Sequence, residues 1–355
     1  MPDFQMDDIR AAVAANVITE AQAARLKVFA ESRQGYRAHM PEDDEPFELF
    51  KGFAEIFVTV GLGMLFSGIM VMSAFFQNFS LVPFVGAAMA FGAAFYFTKK
   101  RRMNLPSIWL ATVFASNLAV FVGTFLIDPL DLSGVEYSVL YVSLVGMAAM
   151  AGWFALFKLP FAMFLFGLFG LGVAMAIAAI ISPNVIDFLR LREGLFDLNT
   201  QSFFPLATLG FGIAAFALAM VFDTRDPHRV SRFAASGFWL HVLAAVAIVN
   251  TVGMSLYSSG QYGLTAAVLG LISLVALIID RRSFLTAGIL YMAYLLYAVF
   301  SGDGGSFKAL MSTLLILGVF ITVLGTWWAP IRAVIMNTLP NFPLKKRLPP
   351  YVEKA

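Results

Sequence analysis

Three histidines, at positions 39, 228 and 241, and the absence of any cysteine bound the side-chain chemistry open to this chain. Without cysteine there is no thiolate, no disulfide and no Cys-ligated metal, and three His so far apart make no His-only site at helical spacing. No metal and no cofactor is expected. His241 stands out because it follows Phe238-Trp239-Leu240 about two turns into an apolar stretch, where an imidazole can relay a proton or donate a hydrogen bond. Gly237 and Ala245 lie four residues to either side of it, so the local sequence offers no carboxylate partner. A hydrogen bond to a neighbouring helix or to the headgroups is its plainer role. Asn117 and Asn250 are also set in apolar surroundings, where an amide can bridge helices, worth ~0.6 kcal/mol, or line a polar cavity. Arg225, Asp226, His228 and Arg229 crowd one short polar turn. With His241, the pair Asp226 and His228 is the one set suited to acid–base work, although a solvated turn accounts for the same residues.

The elements that must position these residues are membrane spans. The chain is 60% hydrophobic and 13% charged, with a mean hydropathy of +0.81, whereas about a quarter of the residues in a soluble domain are charged. A bilayer core of about 30 Å takes ~20 apolar residues per helix. Ten stretches meet that length, near 56–76, 80–98, 107–127, 137–157, 160–181, 203–222, 235–256, 261–279, 283–300 and 307–329, with a tight turn inferred from Ser258-Ser259-Gly260-Gln261. No Asp, Glu, Lys or Arg falls in the middle of any of them, so the usual marks of ion coupling or membrane-embedded catalysis are missing. Gly61, Gly63 and Ser67, then Gly86 and Ala90, then Gly167, Gly172 and Ala176, then Gly210 and Ala214 form small-residue stripes that let helices approach closely. No matched pair of interrupted helices marks a midplane transport site.

Lys and Arg accumulate on alternate connections. Ten spans place 21 of the 24 basic residues on the side that holds both termini, which the positive-inside rule makes the cytoplasm. The opposite face carries Asp128, Asp131, Glu136, Asp187, Glu193, Asp197 and Asp303. The basic connections near 99, 158, 225 and 281 divide the membrane part into five helical hairpins. The expected fold is therefore all-α, a polytopic bundle with N-in/C-in topology in a bacterial inner membrane. A formal charge of +2 without a Lys/Arg cluster excludes nucleic acid as partner.

Outside the bundle, residues 1–40 read as a small cytoplasmic helical hairpin. Asp7 to Ala15 and Glu20 to Arg33 suit two short helices, with Asn16 ending the first and Thr19-Glu20-Ala21-Gln22 forming a capping box for the second. Ile9, Val13, Val17, Ile18, Leu26 and Phe29 give it an apolar side, too small a core for independent stability. Docking on its own bundle, on a second copy or on a partner protein follows. Residues 41–55 form an acidic linker bounded by Pro41 and Pro46. The transmembrane domain spans 56–329. In the last segment, 330–355, Ile331, Val334, Ile335 and Leu339 fall at helical spacing before Lys345-Lys346-Arg347. That pattern predicts a short interfacial helix and a basic tail on anionic lipid. Trp327 and Trp328 are placed to anchor at the headgroups.

The hairpin with Asn16-Val17-Ile18-Thr19, ahead of a string of spans, resembles bacterial multi-pass membrane proteins of the DUF2157 type. Arg225-Asp226-Pro227-His228-Arg229-Val230, with Phe238-Trp239-Leu240-His241 and Asp280-Arg281-Arg282, is similar to a segment of alphaproteobacterial membrane proteins of like length. Those relatives carry a proline and a second His where this chain has Val246 and Asn250, so no two-His proton or metal site carries over. The resemblance covers the whole chain and implies topology and a bacterial inner-membrane setting, with no activity attached.

Three functions fit these observations. The first is a non-catalytic structural or accessory subunit that docks partners through its cytoplasmic hairpin. The second is a transporter of a lipid-like or neutral small solute, and the third a lipid-modifying membrane enzyme. Membrane lipids are partners in all three.

Overall fold

The computed structural model describes residues 6–15, 17–19, 22–23, 25–26, 52–75, 82–125, 134–182, 191–227, 229, 232–282, 307–349 and 351, with residues 284, 293 and 297. Among these the chain is helical throughout. In order come α1 (Met6–Ala14), α2 (Phe53–Phe75), α3 (Val82–Ala94), which continues into a π-helical turn Phe95–Lys100, α4 (Asn104–Phe125), α5 (Val135–Phe157), α6 (Ala162–Ile181), α7 (Leu191–Phe196), α8 (Phe204–Arg225), α9 (Arg232–Ser258), α10 (Tyr262–Ile279), α11 (Phe307–Thr338) and a 3-10 turn Lys345–Arg347. Eight of them are long and apolar enough to cross a membrane, while α10 falls short of that length. The chain is a multi-pass membrane protein. Eight predicted spans match α2 to α6 and α8 to α10, and the tenth matches the first part of α11. The ninth, 283–300, lies outside the described residues apart from helical positions 284, 293 and 297, as do most of the acidic linker and His228.

Helix ends follow local chemistry. Lys158 closes α5 in the left-handed conformation, its N–H on the Phe154 carbonyl, with Pro160 just beyond. Arg102, Arg229 and Asp280 take the same conformation after α3, α8 and α10. The predicted turn Ser258-Ser259-Gly260-Gln261 forms, with Gly260 at φ 71° and the N–H of Gln261 on the Leu256 carbonyl. In the N-terminal segment the expected capping box is present: Gln22 N–H donates to Thr19 Oγ1 at 3.2 Å and Thr19 N–H to Gln22 Oε1 at 2.9 Å. The predicted break at Pro330 is a kink instead. Trp327 leaves helical geometry, as a proline three residues on requires, but the helix continues to Thr338. In its second half Ile331, Ile335 and Leu339 pack on the core with buried Met336, and Val334 alone of that set is exposed.

Packing runs pairwise along the chain: α3 on α4, α5 on α6 and α8 on α9 are the most extensive pairs. One core joins α2 to α6 through Phe66, Ala90, Leu110, Met150 and Trp153. A second joins α8 to α11 through Ala215, Ala244, Val249, Ala276 and Trp328. More than half of the span in α9 is buried (56%), against 33% or less elsewhere, which makes α9 the central helix. Close approach occurs at some predicted small residues. A Cβ on Gly86 would collide with Met70 and Asn117, one on Gly167 with Leu243 and one on Gly172 with Ser143. It does not occur at Gly61 or Gly210, which have nothing within 4 Å, and Ser67 and Ala214 are exposed. The first span packs through Leu62 and Phe66, and the sixth through Gly212, Ala215 and Ala219, one helix face away from the expected stripes.

Cross-chain hydrogen bonds gather the basic turns at one end of the bundle. Glu55, in the first turn of α2, accepts from the N–H groups of Asn104 and Leu105, both at 3.0 Å. It caps α4 from outside, and a carboxylate is favourable at that positive helix end. Arg232 reaches the Lys158 carbonyl at 3.3 Å, Arg229 the turn after α10, and Arg332 the carbonyl of Pro349 at 2.7 Å. At the other end, Asn199 holds Ser255, Ser258 and Ser259.

Candidate functional site

The end of the bundle that carries the basic turns contains a dry, charged centre. It begins at Asp223, which the longer reach of α8 places inside the helix rather than just past it. Asp223 Oδ2 accepts from His241 Nε2 at 2.8 Å and from Arg281 Nε at 3.0 Å. Arg281 Nη2 donates to the second oxygen, Oδ1, making the fork-on-carboxylate geometry that guanidinium favours, and also to the Ala234 carbonyl at 3.0 Å. His241 and Arg281 are fully buried and Asp223 nearly so. Gly237 is the reason they fit: a Cβ there would stand 2.5 Å from Asp223 Oδ1 and 3.4 Å from Arg281 Nη2. The local sequence of His241 shows no carboxylate because its partner, Asp223, comes from the neighbouring helix α8.

Arg281 is aimed inward by the end of α10. The N–H of Arg281 bonds the Ala276 carbonyl at 2.9 Å and that of Asp280 the Leu277 carbonyl at 3.3 Å, a Schellman closure with Asp280 in the left-handed position. The tight reversal sends the Asp280 and Arg281 side chains in two directions. Asp280 Oδ1 accepts from Trp328 Nε1 at 2.7 Å, and Arg229 Nη1 stands 3.3 Å from Oδ2. Arg332 Nε lies 3.9 Å from Oδ1 while donating to the Leu277 carbonyl at 3.1 Å. Arg282 lies over the Trp328 ring, 5.5 Å from its centroid. Two adjacent residues of one turn thus bind α8, α9 and α11 together, and Arg332 extends the contact to the C-terminal tail. Among the described residues, three guanidinium groups face two carboxylates there.

The imidazole of His241 is enclosed by rings, with Phe216 at 5.5 Å and Phe284 at 5.7 Å. Its Nδ1 is buried and has no hydrogen-bond partner among the described residues. Because Asp223 already accepts from Arg281, the proton of the His241 contact belongs to Nε2, which leaves Nδ1 as a bare acceptor.

The other predicted site residues are placed differently. Asn117 Nδ2 donates to the Val113 carbonyl at 2.8 Å and Asn250 Nδ2 to the Val246 carbonyl at 2.7 Å. Both bonds lie within their own helices and so do not bridge helices as expected. Arg225 is exposed and Asp226 half-buried at the turn, whereas Arg229 reaches Asp280; the carboxylate on His241 is that of Asp223, and His228 lies outside the described residues. Trp327 is half-exposed, in keeping with an anchor, but Trp328 is 3% exposed and holds Asp280, so it cannot serve at the headgroups. Lys345 donates to the Leu339 carbonyl at 2.7 Å beside the Tyr351 ring, Arg347 is exposed, and the Lys346 side chain lies outside the described residues. No group of three or more His, Cys, Asp or Glu able to hold a metal occurs among the described residues.

Fold and site together define a multi-pass α-helical membrane protein with a buried charged centre at one end. No family model, curated protein or solved structure matches the chain.

Proposed function

We propose that the chain is a ten-span bacterial inner-membrane protein of five hairpins with both termini cytoplasmic, and that it carries a lipid-like or neutral small solute without covalent chemistry. In this reading the charged centre is the closed cytoplasmic gate, and the resemblance to proteins of the DUF2157 type extends to topology. The observation that carries it is the Asp223–His241–Arg281 set buried between α8, α9 and α10. Each buried ion costs several kcal/mol of desolvation, and well-packed apolar residues commonly serve stability as well or better. A bundle that had only to stay folded gains little from such a centre. A bundle that must part these helices and close them again gains a contact that is strong when made and solvated when broken. Ionisable residues within membrane helices mark pathways and relays for the same reason.

The chain has no cysteine, so single cysteines report access cleanly. Ser236→Cys, at the charged end, and Thr251→Cys, about four turns further along α9, replace fully buried residues. In vesicles of either orientation, a membrane-impermeant maleimide should label Ser236→Cys from the cytoplasmic side only, and faster when Arg281→Gln is added. If neither cysteine is labelled from either side, the transport reading fails. A second reading, the accessory subunit, is favoured by the N-terminal segment, where Val17 is 74% and Leu26 42% exposed. These apolar side chains remain uncovered, and capture of a stoichiometric partner lost on removal of residues 1–46 would establish that reading.

A further inference from the structure

We propose that His241 Nδ1 is a proton-binding site whose occupation requires the α8–α9–α10 packing to open, which makes the proton the coupling ion of the transport reading on which this inference rests. The geometry supplies each part. Nε2 is committed to Asp223 at 2.8 Å, and Asp223 is held on its other side by the Arg281 fork. Nδ1 is buried between the Phe216 and Phe284 rings without an acceptor among the described residues. A second proton on this ring would create an N–H with nothing to receive it and a cation in a dry site, and an unmet buried donor is costly.

Among the described charged neighbours, the carboxylate of Asp223 favours a cation on this ring and the guanidinium groups oppose it. From α8 there is Asp223, already neutralised by Arg281 of the turn after α10. The α8–α9 turn contributes Arg229, which is engaged with Asp280, and α11 contributes Arg332 on the same carboxylate. From α9 itself Arg232 turns away to the Lys158 carbonyl, and α6 carries no charged residue along Ala162–Ile181. A protonated His241 therefore competes with Arg281 for one carboxylate while three guanidinium groups stand near. Separating α8 from α9 and α10 relieves all of this by admitting water to Nδ1. The sign follows: the closed packing is favoured at neutral and higher pH and lost as pH falls.

The test uses the full chain in lipid nanodiscs. Spin labels on Val221→Cys in α8 and Val275→Cys in α10, both exposed and outside the charged centre, report the distance between these helices. A parallel sample labelled with 15N-histidine reads the protonation of His241 directly. From pH 8 to pH 5 a second distance should grow relative to the first, by up to about tenfold per pH unit as one linked proton allows. Nδ1 should take up its proton in the same interval, and His241→Gln should abolish the pH response. The proposal is overturned if Nδ1 stays bare to pH 5, if it gains a proton with no change in distance, or if His241→Gln responds like the parent. Should that variant fail to fold, the two parent measurements still decide. Maleimide labelling of Ser236→Cys with pH-insensitive distances would remove the proton site and leave transport standing, whereas a single distance at every pH and no labelling from either side would remove both.

Discussion

Breaking the ion pair between Asp223 and Arg281 one member at a time should be far more damaging than removing both charges. Each side chain is fully or nearly fully buried, and their contact is a two-point fork, so Asp223→Asn leaves the guanidinium facing a neutral amide and Arg281→Gln leaves the carboxylate with only the neutral His241 donor at that contact. Losing one partner of a buried pair typically costs about 3–5 kcal/mol. At about 1.4 kcal/mol per tenfold, that is a hundredfold or greater fall in the ratio of native to opened protein. The double variant has no buried charge to leave unpaired, and its amides can still bond each other and His241 Nε2. Its loss should be about 1 kcal/mol, giving a coupling of about 5–9 kcal/mol of the sign that marks a cooperating pair. Intrinsic fluorescence from the five Trp during heating in one detergent reports this as a fall of about 6–10 °C for either single variant and about 2 °C for the double. Additive losses, or a single-variant loss under 1 kcal/mol, would show that water reaches the pair and that the centre is not the dry lock described here.

Gly237→Ala should destabilise by about 1–3 kcal/mol by pushing its methyl against Asp223 Oδ1, and a smaller loss in the Asp223→Asn background would locate the clash. Trp328→Phe keeps the ring packing but removes the donor to Asp280, for a loss of about 1.5–3 kcal/mol, while half-exposed Trp327→Phe should change thermal stability by under 0.5 kcal/mol. Glu55→Gln keeps one carbonyl acceptor for the two N–H groups of α4 and should lose about 0.5–2 kcal/mol, as caps do. Arg332→Lys frees the Pro349 carbonyl and should speed tryptic cutting after Lys345 and Arg347 relative to the parent.

The spans were legible in the sequence because hydropathy over twenty residues depends on little else, and the turn at Gly260 and the capping box at Thr19 were legible because they are local. The charged centre was not, because each of its members has an ordinary local explanation. Asp223 follows the apolar stretch ending at 222 and passes for the start of a loop. Arg281 and Arg282 pass for topology signals, although one is fully buried and the other lies on an indole. Arg332 was counted with the basic tail, and Trp328 with the aromatic belt beside Trp327. Only contact between helices far apart in sequence separates these roles. The one usable hint was opposite charges beside each other at span ends, Asp223 before Arg225 and Asp280 before Arg281, since a signal for orientation alone requires only the cations.

That hint bears on the topology itself. Positive residues at helix ends orient a bundle because they resist translocation, and they do so before helices have packed. In this chain Arg229, Arg281 and Arg332 are then drawn into the bundle by Asp223 and Asp280, so the same cations that would set orientation early hold four segments together later. Their exposed counterparts, Lys99 to Arg102 and Arg225, have no buried carboxylate to claim them and stay at the surface. The distribution of two aspartates therefore decides which basic turns remain plain and which become a closed end. If any part of this bundle moves against the rest, the balance of forces places the motion where α8, α9 and α10 meet, because breaking the contacts there restores hydration to charged groups, whereas parting the phenylalanine-rich core of α2 to α6 at the same end exposes mainly apolar surface, with Glu55 of α2, on the N–H groups of α4, as its one buried carboxylate among the described residues.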